Sequence, residues 1–172
     1  MSGDSFVTFA YGSNMPAMRL RERCPSARAL GMAELSGHEL HWHKVSKKDG
    51  SGKCDIVASE GSGASVFGVL YEIAADDKHS LDQAEGLNKG YEEIEIEVIS
   101  EGVPVRAKAY RATNIDPALR PYTWYRAFVI AGAKEHGLPA AYIAALECVP
   151  ADEDADRSRH ERNMALIEGV RA

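Results

Sequence analysis

Two short segments of this chain hold residue types that can do chemistry on a small anionic substrate. The first is Tyr11-Gly12-Ser13-Asn14-Met15, between an apolar run and a helix start. Glycine and asparagine let such a loop turn several backbone N–H groups toward one point, with the N-terminus of the following helix behind them. That geometry suits a carboxylate or a developing oxyanion. The same residues also make an ordinary strand-to-helix connection. The second segment is Leu81-Asp82-Gln83-Ala84-Glu85-Gly86. Glu85 ends a helical stretch where Gly86 makes the chain turn, so its carboxylate can face a cleft. Desolvated there, it would exchange protons near neutrality as a general acid/base. The competing reading is a solvated glutamate, one of 26 acidic residues.

Other candidates are weaker in chemistry. In a strand His41 and His43 share a face, as a metal pair requires, with His38 nearby. Zinc wants a third protein ligand, and no partner with recognisable spacing stands close, although folding could bring Cys54 and Asp55 near; a polar strand face without metal is expected. Tyr91, Tyr110, Tyr122, Trp124 and Tyr125 read first as core or half-buried packing. No Gly-x-Ser-x-Gly nucleophile motif occurs, and Gly61-Ser62-Gly63 lacks the lysine of a phosphate loop.

The elements that must position these residues can be read from periodicity. Phe6 to Ala10 is a short buried strand, and Pro16 suits the first turn of a helix that runs to about Cys24-Pro25. Two strands fill Ala27 to Lys44, divided near Ser36-Gly37, and further strands cover Ile56 to Ala58 and Val66 to Ile73. Asp76 to Glu85 forms a short helix, with Asp76 or Asp77 as its N-cap and Gly86 beyond its end. A hairpin follows. With Glu101-Gly102 as the turn, Glu97 faces Arg106, Glu95 faces Lys108, Val98 faces Val105 and Glu93 faces Tyr110. A helix from about Tyr122 to His136 stops at Gly137 and Pro139, a shorter one spans 140–147, and Ala151 to Ala172 is a peripheral helix or tail. Lys47 to Lys53 is a loop by composition. Helices gathered in few places beside a majority of strands give the class α+β, with residues 1–150 as a single domain and 151–172 as the tail.

Composition narrows the field. A net charge of −6 argues against nucleic acid as a partner. No apolar run approaches the length of a membrane helix, and the N-terminus Met1-Ser2-Gly3-Asp4-Ser5 does not read as a secretory signal. Cys24, Cys54 and Cys148 are an odd number without CxxC spacing, which points to a reducing, cytoplasmic setting rather than a disulfide scaffold. Nothing in the sequence reports oligomeric state.

Taken in order, several segments resemble the gamma-glutamylcyclotransferase family: Phe9 to Met15, Val66-Phe67-Gly68-Val69-Leu70-Tyr71, Leu81 to Gly86, Tyr91, Pro121, Tyr125, Gly132 to Pro139 and Tyr142. The set spans roughly Phe6 to Leu146. The resemblance implies a small mixed β-barrel flanked by helices, with the active site at one end. It implies Glu85 as the catalytic acid/base and the backbone N–H groups of Gly12, Ser13, Asn14 and Met15 as a substrate cradle. Tyr11 leads that loop, and Tyr91, Tyr110 and Tyr125 would line the same pocket. Tyr110 lies on the charged face of the hairpin, so either that face turns into the cavity or a bulge shifts it. The implied partner is a small γ-glutamyl compound, closed to 5-oxoproline without cofactor or metal. A non-catalytic module binding a small carboxylate on the same fold is the alternative. Lys47 to Ser59 does not match the family position by position; as a mobile loop meeting the leaving amine, it would select that amine loosely.

Overall fold

The structure, a computed structural model, describes residues 3–61 and 63–171. Met1, Ser2, Ser62 and Ala172, and with them the start of the N-terminal run, the middle of Gly61-Ser62-Gly63 and the last residue of the tail read above, lie outside the described residues. Among the described residues seven strands and five α-helices follow in the order β1 (Ser5–Ala10), α1 (Ala17–Arg23), β2 (Arg28–Ser36), β3 (His38–Val45), β4 (Gly52–Ala58), β5 (Ser65–Ala74), α2 (Lys78–Glu85), β6 (Tyr91–Ser100), β7 (Val103–Ala112), α3 (Thr123–Glu135), α4 (Ala140–Glu147) and α5 (Arg157–Arg171), with a single 3-10 turn (Ala75–Asp77) leading into α2. Five strands close into a barrel in the order β1-β5-β2-β6-β7, and β3 and β4 form a separate ribbon. The fold is α+β, a small mixed barrel with helices around it.

Closure depends on one parallel contact, Thr8 of β1 against Lys108 of β7, where the Thr8 hydroxyl donates to the Lys108 carbonyl (3.1 Å). The other barrel pairings are antiparallel. Gly68 admits the tight approach of β5 to β1: a Cβ there would stand 2.5 Å from the Ala10 carbonyl oxygen. Val66, Val69, Tyr71, Ile73, Val98 and Ala109 are buried in the core. β6 and β7 pair in the expected register, Glu97 opposite Arg106 and Val98 opposite Val105, through to Tyr91 opposite Ala112. The ionic partner of Lys108 is nevertheless the diagonal Glu93 (2.9 Å) and not the facing Glu95, because Lys78 of α2 draws Glu93 into the same cluster.

Two local expectations change. Asp77 precedes α2, but no side chain caps that helix; the Asp77 carboxylate instead accepts from the N–H and hydroxyl of Ser26 (3.0 and 2.5 Å). Lys47 to Ser59 is not a mobile loop. Residues from Gly52 onward form β4, which pairs with β3 along a run including His38 opposite Ala58 and Val45 opposite Gly52. Asp49 fixes the turn: its Oδ1 accepts from the Ser51 N–H (2.9 Å) and hydroxyl (2.6 Å), and its Oδ2 meets Lys53 Nζ (3.0 Å). A lysine-, glycine- and serine-rich composition concealed an Asx turn, while Cys54 and Ile56 supply the buried face of a strand. At the other end of the chain Ile167 of α5 is fully buried. Trp124 of α3 donates to Asp154 (2.9 Å), which Arg159 grips with two nitrogens (2.5 and 2.6 Å).

Candidate active site

Glu85 is aimed by the way α2 ends. Gly86 takes the left-handed conformation (φ 72°), its N–H returns to Gln83, and the Leu87 N–H returns to Asp82 (2.9 Å). This Schellman turn fixes the last helical residue and its side chain. α2 is itself held over the hairpin: Asp82 accepts from the Tyr110 hydroxyl (2.5 Å) and from Lys78 (2.5 Å). The β6–β7 register runs past Tyr110 without a shift, so no bulge moves that residue. The charged face of the hairpin turns into the site under α2.

Opposite Glu85 stands the loop between β1 and α1. Asn14 is buried; its Nδ2 donates to Glu85 Oε1 and its Oδ1 accepts from Arg23 (2.6 Å). The loop is clamped from behind, since the Tyr71 hydroxyl donates to the Met15 carbonyl (2.7 Å) and His136 Nε2 lies 3.0 Å from the same oxygen. Gly12 sits against the ribbon, where a Cβ would stand 3.1 Å from Cys54 Cβ and 3.2 Å from the Tyr125 hydroxyl. Among the described residues no protein acceptor meets the N–H of Gly12, Ser13 or Asn14, whereas that of Met15 closes a turn to the Gly12 carbonyl (3.2 Å).

An inner cavity of about 40 Å³ brings together Tyr11, Gly12, Ser13, Asn14, Glu85, Tyr91, Tyr110 and Tyr125. Met15, fully buried, does not line it, and its N–H is already used. Beside the inner cavity lies an outer one of about 400 Å³, with Ser13, Glu85, Tyr91 and Tyr125 on the walls of both. The hydroxyl of Tyr11 donates to the Tyr110 carbonyl, that of Tyr91 to the Cys54 carbonyl (2.7 Å) and that of Tyr110 to Asp82. Tyr125 accepts from the Cys54 N–H (3.0 Å). Burial raises the pKa of Tyr11, Tyr91, Tyr110 and Tyr125, so all four stay neutral and serve as walls, not bases.

Burial likewise raises the pKa of Glu85, against the opposing pull of Arg23, Lys44 and Arg19. A carboxyl so placed holds its proton more tightly than an exposed one and can act as a general acid/base. Sequence reading missed Asp82, Arg23, Arg19 and Lys44. Asp82 precedes Glu85 by three and shares its helix face; Arg19 and Arg23 are four apart directly after the loop, which is the available signal. Lys44 carries no local signal at all.

The histidines lie elsewhere. His43 Nε2 bonds Asp55 (2.7 Å), and the Asp55 carboxylate also accepts from the Ala112 N–H (2.8 Å), tying the ribbon to β7. Among the described residues no group of three or more His, Cys, Asp or Glu is arranged to hold a metal. Exhaustive chelation is expected to leave turnover unchanged; a loss that zinc restores would reverse this assignment. Tyr110→Phe is expected to cost about 1 kcal/mol through the lost bond to Asp82, read from a denaturation midpoint, and to retain turnover. Loss of turnover with normal stability would instead put that hydroxyl on the substrate.

Residues 65–146 match the model of the AIG2-like family. A gamma-glutamylcyclotransferase of Mus musculus is 34% identical over 157 residues, covering 88% of this chain and 82% of that protein. One from Homo sapiens is 34% identical over 152 residues, covering 85% and 79%. A solved structure of a gamma-glutamyl cyclotransferase superposes with a TM-score of 0.87 at 29% identity, over 96% of this chain and 99% of that one. The chain belongs to the gamma-glutamylcyclotransferase family.

Proposed function

We propose that the chain is a gamma-glutamylcyclotransferase that converts a γ-glutamyl amine into 5-oxoproline and the free amine, with Glu85 as its acid/base. The single observation that carries the assignment of roles is the opposition, across one recess, of a carboxyl with raised pKa and three loop N–H groups without protein acceptors. The N–H groups of Gly12, Ser13 and Asn14 hold the donor's α-carboxylate, which places its α-ammonium beside Glu85. The Glu85 carboxylate takes a proton from the ammonium. The freed amine attacks the γ-carbonyl carbon, forming the ring C–N bond and pushing charge onto the carbonyl oxygen. Collapse breaks the bond to the leaving amine, which receives the proton back from Glu85; the ring nitrogen then gives up its extra proton through the Glu85 carboxylate to the released amine, which departs as an ammonium. Nucleophile and electrophile belong to one molecule, so the protein supplies a bent conformer and proton management, and the reaction needs no cofactor.

A non-catalytic carboxylate-binding module would use the same N–H groups but would gain nothing from a desolvated carboxyl facing them. Incubation with γ-glutamyl-alanine, followed by mass spectrometry, is expected to release 5-oxoproline and alanine. The α-glutamyl isomer is expected to release neither, since its scissile carbonyl cannot form the five-membered ring. Binding of the γ-glutamyl donor without turnover would favour the module. No helix among the described residues is long and apolar enough to cross a membrane. Free Cys24, Cys54 and Cys148 suit a reducing, cytoplasmic location.

A further inference from the structure

The outer cavity has a charge out of keeping with the chain around it. Seven basic side chains and two carboxylates line it, in a protein of net charge −6. Of the two carboxylates, Asp49 is engaged by Lys53 (3.0 Å) and Glu85 is the reacting group. Among the described residues no carboxylate lies within 4.0 Å of the cationic groups of Arg19, Arg23, Lys44, Lys47, Lys48 or Lys89. Lys44, 9% exposed, is buried in that state with its Nζ over the Tyr91 ring at 4.6 Å, and Arg19, half-buried with its guanidinium carbon 4.2 Å from the centre of the Phe128 ring, has a buried Nε without a hydrogen-bond partner. Lys47 and Lys48 stand exposed on the Asp49-pinned turn, and Lys89 is exposed beyond the end of α2. Buried donors without acceptors and like charges crowded together both oppose folding, so the free site holds a debt that an anionic ligand would cancel.

We propose that the outer cavity receives the leaving amine and that this amine carries two or more negative charges, as an acidic amino acid or a short acidic peptide does. The inference rests on the cyclotransferase reading. Once the glutamyl half lies in the inner cavity, the scissile bond must sit at Glu85. Glu85 walls both cavities, so everything beyond that bond projects among the cations. The single carboxylate common to every α-amino acid answers Arg19 or Lys44 but leaves the outer lysines unmatched. A second carboxylate, on a side chain or a further residue, reaches the Lys47–Lys48 turn. Because Asp49 and the β3–β4 pairing hold that turn, selection operates by charge on a preformed wall, not by a loose loop.

The test compares γ-glutamyl-glutamate with γ-glutamyl-glutamine, whose leaving groups match in shape and differ by one charge, with γ-glutamyl-alanine as reference. At low salt kcat/KM is expected to favour the glutamate donor by about tenfold, mostly through KM. Raising salt from about 20 mM to about 500 mM should shrink that preference to within about threefold. In Lys47→Ala/Lys48→Ala the ratio of the two donors should move toward one. Equal kcat/KM for both donors in the wild type overturns the inference and leaves the cyclotransferase reading standing. A preference that neither salt nor the double substitution changes also overturns it, because the selecting group then lies elsewhere. No 5-oxoproline from any of the three donors overturns the underlying reading and the inference with it.

Discussion

Glu85→Gln is expected to lower kcat by about 10²-fold or more, the scale of losing a general acid/base. Glutamine keeps an Oε1 for the Asn14 amide and nearly the same volume, so α2 and the loop should remain in place. What it lacks is a proton acceptor for the α-ammonium. Near-normal turnover of the variant would remove Glu85 from the mechanism. The wild-type pH profile offers an independent check. The base form of Glu85 is the active one, so kcat/KM should fall on the acid side with an apparent pKa above the ordinary carboxylate value of 4.5. The stability sign runs the other way. A carboxyl with a raised folded-state pKa holds its proton more tightly in the native state than in the unfolded one. Its burial is free of penalty below the ordinary carboxylate pKa and becomes costly as pH rises through the folded-state pKa. Glutamine carries no such charge, so at pH 7 the variant should melt at or above the wild-type temperature, while at pH 4 the two should converge. A less stable variant at pH 7 would show that the attraction of Arg23, Lys44 and Arg19 outweighs the desolvation of the Glu85 carboxylate.

Gly132→Ala is expected to damage stability and turnover together. A Cβ at this position would stand 2.5 Å from Met15 Cβ, 2.7 Å from Pro16 Cδ and 2.8 Å from the Pro16 nitrogen. Alanine gains about 1 kcal/mol of helix propensity inside α3. Overpacking against a rigid proline ring and its backbone costs about 1–3 kcal/mol, and more where nothing yields. The second effect wins, and the part able to move is the loop that carries the free N–H groups and Asn14. Misplacing such groups by an ångström costs up to about 10²-fold in rate, so kcat/KM should fall at least about tenfold with a lowered melting temperature. Gly137→Ala is the control. Its φ of 67° penalises any side chain, but nothing lies within 4 Å of its Cβ position. It should lose roughly 1–2 kcal/mol for the left-handed backbone and keep its kcat/KM. Unaltered turnover in Gly132→Ala would mean that the loop's placement does not matter to the chemistry.

Features with a local period or a local punctuation mark were readable in advance. The β6–β7 register follows from one arrangement satisfying an apolar and a charged face together, and the structure repeats it pair for pair. α2 ends at Glu85 because Gly86 adopts a conformation that costs other residues more, and α4 spans 140–147 as its apolar run suggests. The family resemblance also brought Tyr11 to Met15, Glu85, Tyr91, Tyr110 and Tyr125 onto one list, and all of these but Met15 line one cavity. Local pattern was misleading where a polar composition covered a pinned turn. Asp49 turned an apparently mobile Lys47–Ser59 loop into a fixed wall.

What the sequence determined by itself was which residues end elements, which strand faces are apolar and which side chains can do acid/base chemistry. Whether those side chains meet depends on contacts between residues far apart in the chain, which no period encodes. Asn14 and Glu85 are 71 positions apart, and the Thr8–Lys108 contact that closes the barrel spans 100. The Met15 N–H was expected in the cradle and is spent on Gly12 instead, because the loop folds back on itself under the clamp of Tyr71 and His136. The raised pKa of Glu85 and the cationic outer cavity arise only when β3, β4, α1 and α2 converge. Desolvation and Coulomb fields act through space, and distance along the chain says nothing about them.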